Sequence, residues 1–400
     1  MVRYMSSGTI PANMLLAVRA LYQRCAAAVT PVAATPGTRF LFVDGLRGVA
    51  ATMVVVFHFT VAATDASHPF ISGLPAWVVK LLNDGQFGVE IFFVISGFVI
   101  AYSQRQAKVT TRYFLNFALR RSFRLDPPYW FTVFLEVFIL AVSAKLVHSR
   151  THDVPSADRV LAHLTYLQEL LGYREIVPVF WTLCLEVQFY VLFTLVRGLA
   201  SWKSDGLATQ RIEGGVMAML SFLSLAVFCQ WIPNPLHGLF LPYWFLFFLG
   251  VTVWWAVGTP QRANYFWVMC AAAGLTAVFR HDVPMGLGVS TAAAIFFAAK
   301  LNRMGSWLSG WPIQFLGRIS YSLYLIHVVI GTRVILFAAR FTGTSVGAKL
   351  IGIVFGIVAS IVAATLMYVL IEQPWQQLSK RWLKGGGTPP RKAVCLTTTN

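Results

Sequence analysis

Phe42-Val-Asp-Gly-Leu-Arg47-Gly-Val-Ala-Ala-Thr-Met-Val-Val-Val-Phe-His58-Phe59 is the stretch on which the fold is decided. With its apolar neighbours it is long enough to cross a bilayer as a helix. Yet it carries an arginine and a histidine eleven positions apart. Eleven residues are about three helical turns, so Arg47 and His58 share one face, roughly 16 Å apart along the axis. Ionisable groups are costly in hydrocarbon and normally face a protein interior or a wet cavity. Two on one stripe predict a polar path running from one side deep into the membrane.

The rest of the chain agrees with a membrane reading. Of 400 residues, 57% are hydrophobic and only 12% charged, against about 25% charged in soluble domains. Apolar segments fall at 41–63, 86–103, 128–147, 181–199, 214–232, 239–257, 264–280, 284–300, 314–332 and 349–371. The expected fold is therefore all-α, a polytopic bundle of about ten spans. It occupies residues 40–376, between a cytoplasmic lead at 1–39 and a cytoplasmic, disordered tail at 377–400. With the N-terminus inside, 21 lysines and arginines fall on the cytoplasmic side and eight on the other. That bias places both termini in the cytoplasm. It also accounts for the +17 net charge without a nucleic-acid partner. The five cysteines show no CxxC spacing and read as small apolar residues, with no zinc or disulfide framework. No metal is expected.

Topology gives each polar residue a depth. Arg47 lies near the inner face and His58 in the outer half. Glu90 and Glu186 lie near the outer ends of inward-running spans. Arg318 lies inside, with Tyr321, Tyr324 and His327 progressively further out, and Glu372 returns to the inner face. Arg121 and Arg124 in Arg121-Ser-Phe-Arg124 are one helical turn apart and face the same way. Pro127 and Pro128 are expected to end that turn where the third span begins. Arginine forks bind phosphate oxygens in pairs. A histidine beside a carboxylate suits proton transfer. By depth, Glu186 is the residue expected beside His58, with His327 and Tyr324 as second choices.

Each reading has a plainer rival. Arg120, Arg121 and Arg124 also serve as a topology signal, and Arg47 as a snorkelling anchor. Glu186 suits a membrane interface, and Glu90 suits the start of a helix. Tyr321 and Tyr324 could simply hold His327 in a packing network. Ser96 and Gly97 suit close helix packing. Trp130, Trp181 and Trp244 read as interfacial belt residues. For His58, within a span, function is the default.

Six motifs in order carry a resemblance over roughly residues 38–376. They are Arg47 with His58 after a ten-residue gap, and Gly88-Val-Glu-Ile-Phe-Phe-Val-Ile-Ser-Gly-Phe98. Next come Arg121-x-x-Arg124 followed by Pro127 and Tyr129-Trp130, and Phe180-Trp-Thr-Leu-Cys-Leu-Glu186. The last two are Ser320-Tyr-Ser-Leu-Tyr-Leu-Ile-His327 and Glu372-Gln-Pro-Trp375. In these the chain resembles the acyltransferase-3 family of integral membrane acyltransferases, bacterial sugar O-acetyltransferases prominent among them. Glu90 stands where the family more often has Asp, and Asp126 offsets part of the Arg121/Arg124 charge.

The resemblance implies an acyl-coenzyme A donor, commonly acetyl-CoA, and O-acetylation of an exported or cell-envelope glycan or glycolipid at a bacterial plasma (inner) membrane. Donor phosphates would sit near Arg121 and Arg124, with Arg47 deeper. The thioester arm would run to His58, acting as general base or as a brief acyl carrier. Catalytic roles would fall to His58, Glu186 and Arg47, with Tyr324, His327 and Glu90 around them. A rival class uses the same residues: a proton-coupled transporter of an anionic or glycolipid substrate. A non-catalytic subunit of an envelope assembly would not depend on His58.

Overall fold

A computed structural model describes residues 12–30, 40–63, 74–105, 107–146, 153–203, 206–342 and 345–382. Among these residues the chain is helical throughout, with no strand. The helices are α1 (Ala12–Val29), α2 (Leu41–Ala62), α3 (Ala76–Asp84), α4 (Gly88–Ser103), α5 (Thr111–Leu146), α6 (Ala157–Leu164), α7 (Trp181–Lys203) and α8 (Gly206–Phe228). There follow α9 (Trp244–Gly258), α10 (Ala263–Arg280), α11 (Val283–Lys300), α12 (Trp311–His327), α13 (Arg333–Thr342), α14 (Val346–Met367) and α15 (Gln373–Trp382). Nine helical stretches among the described residues are long and apolar enough to cross a membrane. The seventh expected span forms as α10, but Asn264, Tyr265 and Arg280 at its ends leave it outside that set.

α9 shows why the bundle closes where it does. Its side chains from Trp244 to Leu249 are all fully buried. A helix apolar on every face belongs at the centre of a bundle. It crosses α4 at Gly97 and Gly250. A methyl group on either would collide with the Phe247 or Val94 carbonyl of the other helix, so only glycine lets the backbones approach this closely. Gly97 thus packs as expected, whereas Trp244 is no belt residue. It is buried, and its indole donates to the Met217 carbonyl at 3.2 Å. Cys184 and Cys229 are buried free thiols, and Cys25 and Cys270 are half-buried ones.

Three boundaries differ from expectation. α5 does not stop at Pro127 and Pro128 but runs through them for 36 residues. Proline removes a helix N–H and crowds a carbonyl one turn back. In a packed span, neighbouring groups can compensate. The carbonyls that lose a donor are those of Phe123 and Arg124, and α12 packs beside them, its Tyr321 hydroxyl donating to Leu125 O at 2.8 Å. Arg121 and Arg124 therefore stand on one continuous rod. Within the N-terminal lead, α1 forms a helix, and Arg318 on α12 donates to the Thr30 carbonyl at its end, 3.2 Å away. The tail expected from 377 begins as the last turns of α15; residues 383–400 lie outside the described ones.

Two π-helical turns interrupt the last long helices. Val328–Thr332 separates α12 from α13, and Tyr368–Glu372 separates α14 from α15. Such turns hold one residue more than an α turn and recur at functional sites. Here one begins just after His327 and the other ends on Glu372.

Candidate active site

The central cavity has a volume of about 420 Å³. α2 contributes Val43, Asp44 and Arg47, α5 contributes Arg121 and Arg124, α7 Thr182, Glu186 and Tyr190, and α12 Tyr321 and Tyr324. The three arginines expected to hold an anion thus converge from two helices. The Arg121 guanidinium lies 4.6 Å from the Tyr190 ring centre, a cation–π contact. Among the described residues, none of the three has a carboxylate oxygen within 4.0 Å, and none donates a hydrogen bond to protein. Their neighbours only moderate the charge. Arg47 feels Arg124, Asp44, Glu372 and Glu186 at longer range. Glu372 is itself occupied, accepting from Ser322 Oγ at 2.7 Å and Gln376 Nε2 at 2.9 Å.

Glu186 lies in this cationic cavity rather than beside His58. Its Oε1 accepts from Ser96 Oγ at 2.8 Å and from the Tyr190 hydroxyl. Similar estimated depth does not make Glu186 and His58 neighbours, because Glu186 on α7 turns to Ser96 on α4. Val177, Val179 and Phe180, just before α7, are already buried inside the bundle. Neither Ser96 nor Tyr190 is among the expected partners of Glu186. Tyr190 sits one turn along the same helix, which is a signal; Ser96 offered none.

His58 and His327 form a separate pair. His327 Nε2 and His58 Nδ1 are 3.3 Å apart, with ring centres at 5.1 Å. His327 is fully buried and His58 half-buried. Neither lines the cavity. The expected polar path along α2 is interrupted, because Ala51 and Val54, between Arg47 and His58 on the same face, are packed shut. Tyr324 forms the roof. Its hydroxyl is 2.8 Å from Thr182 Oγ1 and donates to Val179 O at 3.2 Å, and its ring centre lies 6.2 Å from that of His327. Glu90 is buried in the first turn of α4 and does not face the cavity, although its neighbour Val89 does.

The fold and site define a class: a multi-pass helical membrane protein with an arginine-lined cavity in its core and a separate histidine pair. The chain belongs to the acyltransferase-3 family, whose acyltransferase-domain model matches residues 40–370. It is a membrane-bound acyltransferase. It is 27% identical over 367 residues to the membrane-bound transacylase BcsY of Komagataeibacter xylinus, covering 84% of this chain and 83% of that one. It is 23% identical over 370 residues to the peptidoglycan O-acetyltransferase YrhL of Bacillus subtilis, covering 83% of this chain but 54% of YrhL. A shorter match, 28% over 164 residues, reaches the O-acetyltransferase OatA of Staphylococcus aureus, 38% of this chain and 24% of OatA. No solved structure matches the chain.

Proposed function

We propose that this protein moves an acyl group, acetyl in the simplest case, from coenzyme A to a hydroxyl of an exported or cell-envelope glycan. One observation carries the donor assignment: three guanidiniums line one cavity with no ion pair among the described residues. Guanidiniums without a directly bonded carboxylate in a low-dielectric interior favour an anionic ligand, even with Asp44 and Glu186 in the same cavity. Phosphates bound by Arg47, Arg121 and Arg124 supply that charge. The peptidoglycan acetylation named for YrhL supports a glycan acceptor. The lysine and arginine bias supports a cytoplasmic cavity mouth, both termini inside, and a bacterial inner membrane.

In this reading the acyl arm rises from the arginines and displaces the Tyr324–Thr182 hydrogen bond to reach His58. His58 takes the proton of the sugar hydroxyl as its oxygen attacks the thioester carbonyl. The carbon–sulfur bond then breaks, and the proton passes from His58 to the departing thiolate. Glu186, held by Ser96 and Tyr190, tempers the cationic wall beside the arm.

The test uses the full chain in nanodiscs with acetyl-CoA and a glycan acceptor. Free coenzyme A and acetylated glycan should appear together, and His58→Ala should abolish both in a folded protein. Activity retained in His58→Ala would remove the histidine from the chemistry. A proton-coupled transporter would release no coenzyme A.

A further inference from the structure

The histidine pair settles which nitrogen of His58 is free to act. A neutral imidazole carries one N–H and one lone pair. His327 Nδ1 lies 3.0 Å from the Leu323 carbonyl. A carbonyl only accepts, so this nitrogen holds the proton and Nε2 holds the lone pair. That lone pair meets His58 Nδ1 at 3.3 Å, and the Val54 carbonyl meets the same nitrogen at 2.9 Å. Two acceptors converge on one atom, so His58 Nδ1 is the protonated one. A doubly protonated His327 would reverse the contact and turn the His58 lone pair toward Val54 O, which cannot donate. His58 Nε2 is left unprotonated, with no protein partner among the described residues.

We propose that His327 is a positioning residue for this reaction, holding His58 in the Nδ1–H form so that Nε2 serves as the base. The inference rests on the reading of His58 as base. When Nε2 takes the hydroxyl proton, the charge of the imidazolium spreads to Nδ1–H. That hydrogen already faces the Val54 carbonyl and the His327 lone pair. When Nε2 returns the proton to the thiolate, the contact is unchanged. In a serine-protease triad a carboxylate performs this service. Here a neutral imidazole does so, fixed in turn by its backbone bond to Leu323. Glu186, engaged with Ser96 and Tyr190, is not needed for it.

The experiment compares His327→Leu, which removes the acceptor, with His327→Gln, whose amide oxygen can occupy the place of Nε2. Both are assayed in nanodiscs, alongside ¹⁵N-histidine spectra of the wild type with the His58 signal assigned by its loss in His58→Asn. The wild-type spectrum should show His58 protonated at Nδ1. His327→Leu should lower kcat on the order of 100-fold with little change in donor KM, and His327→Gln should recover most of that loss. A His58 protonated at Nε2, or a His327→Leu enzyme with wild-type kcat, overturns the proposal. If His327→Leu does not fold, the spectrum and the Gln variant still decide. If His58→Ala keeps activity, the reading beneath the proposal fails instead, and the two failures remain distinct.

Discussion

Two groups of arginines stand in this bundle and are treated differently. Arg197 and Arg262 share one carboxylate. Glu213 Oε1 is 3.3 Å from Arg197 Nε, and Glu213 Oε2 is 3.2 Å from Arg262 Nη1. The Arg262 guanidinium also lies 3.2 Å from the Trp255 ring centre, and Arg197 donates to Gln104 O at 2.6 Å. Arg47, Arg121 and Arg124 have no such partner among the described residues and line a cavity instead. The first group joins helices α7, α8 and α9. The second donates no hydrogen bond to the described residues. Arginine content alone separates them no better than the positive-inside rule does; the position of one glutamate does.

Breaking the paired group should give the larger change in stability. Glu213→Leu leaves two largely buried guanidiniums without their carboxylate. Removing one partner of a buried pair costs about 3–5 kcal/mol. Thermal unfolding in detergent should show a large fall in midpoint, and an unchanged midpoint would mean the pair is solvated. The unpaired group should respond the other way. Arg121→Ala combined with Arg124→Ala should weaken donor binding about 100-fold or more by calorimetry, taking charge-assisted bonds at about 1.5–3 kcal/mol each. Its unfolding midpoint should hold or rise, because like charges are removed. A fall equal to that of Glu213→Leu would erase the distinction.

The smallest effect concerns a carboxylate pair outside the spans. Glu169, in the segment between α6 and α7, lies 3.6 Å from His237 Nδ1 in the segment before α9. Burial, then the hydrogen bond and charge of Glu175, raise the Glu169 carboxyl from 4.5 to about 7, while His237 and His163 oppose the shift. A raised carboxyl binds its proton more tightly folded than unfolded. Its contribution is full below about 4.5 and is lost as pH rises through about 7. Hydrogen exchange around residues 165–175 and 236–240, corrected for intrinsic rates, should be modestly faster at alkaline than at mildly acidic pH. Glu169→Gln should remove the difference.

The apolar periods placed nearly every span, and the spacing of Arg121 and Arg124 correctly put both on one face. What escaped the sequence was three-dimensional. Pro127 and Pro128 read as a stop because the packing of α12 beside them, with Tyr321 donating to Leu125 O, is not visible at that point in the chain. Glu186 was expected beside His58 on estimated depth alone, which does not give the direction it faces; it turns to Ser96 and Tyr190. Arg47 and His58 share a face, yet Ala51 and Val54 between them are covered by other helices, so a common stripe did not become a continuous path. His327 stood behind Glu186 because estimated depth put the carboxylate level with His58.

The π turns bear on how this chain tolerates insertion and deletion. One surplus residue in a turn rotates everything after it by about 100° relative to an uninterrupted helix. His327 precedes the turn at Val328–Thr332, and Arg333 follows it, donating to Glu136 Oε1 at 2.7 Å. Losing one residue inside that turn would keep His327 on His58 while swinging Arg333 away from Glu136. A one-residue gap there between two relatives is therefore a change of helical phase. It marks the point up to which their side chains can be compared position by position.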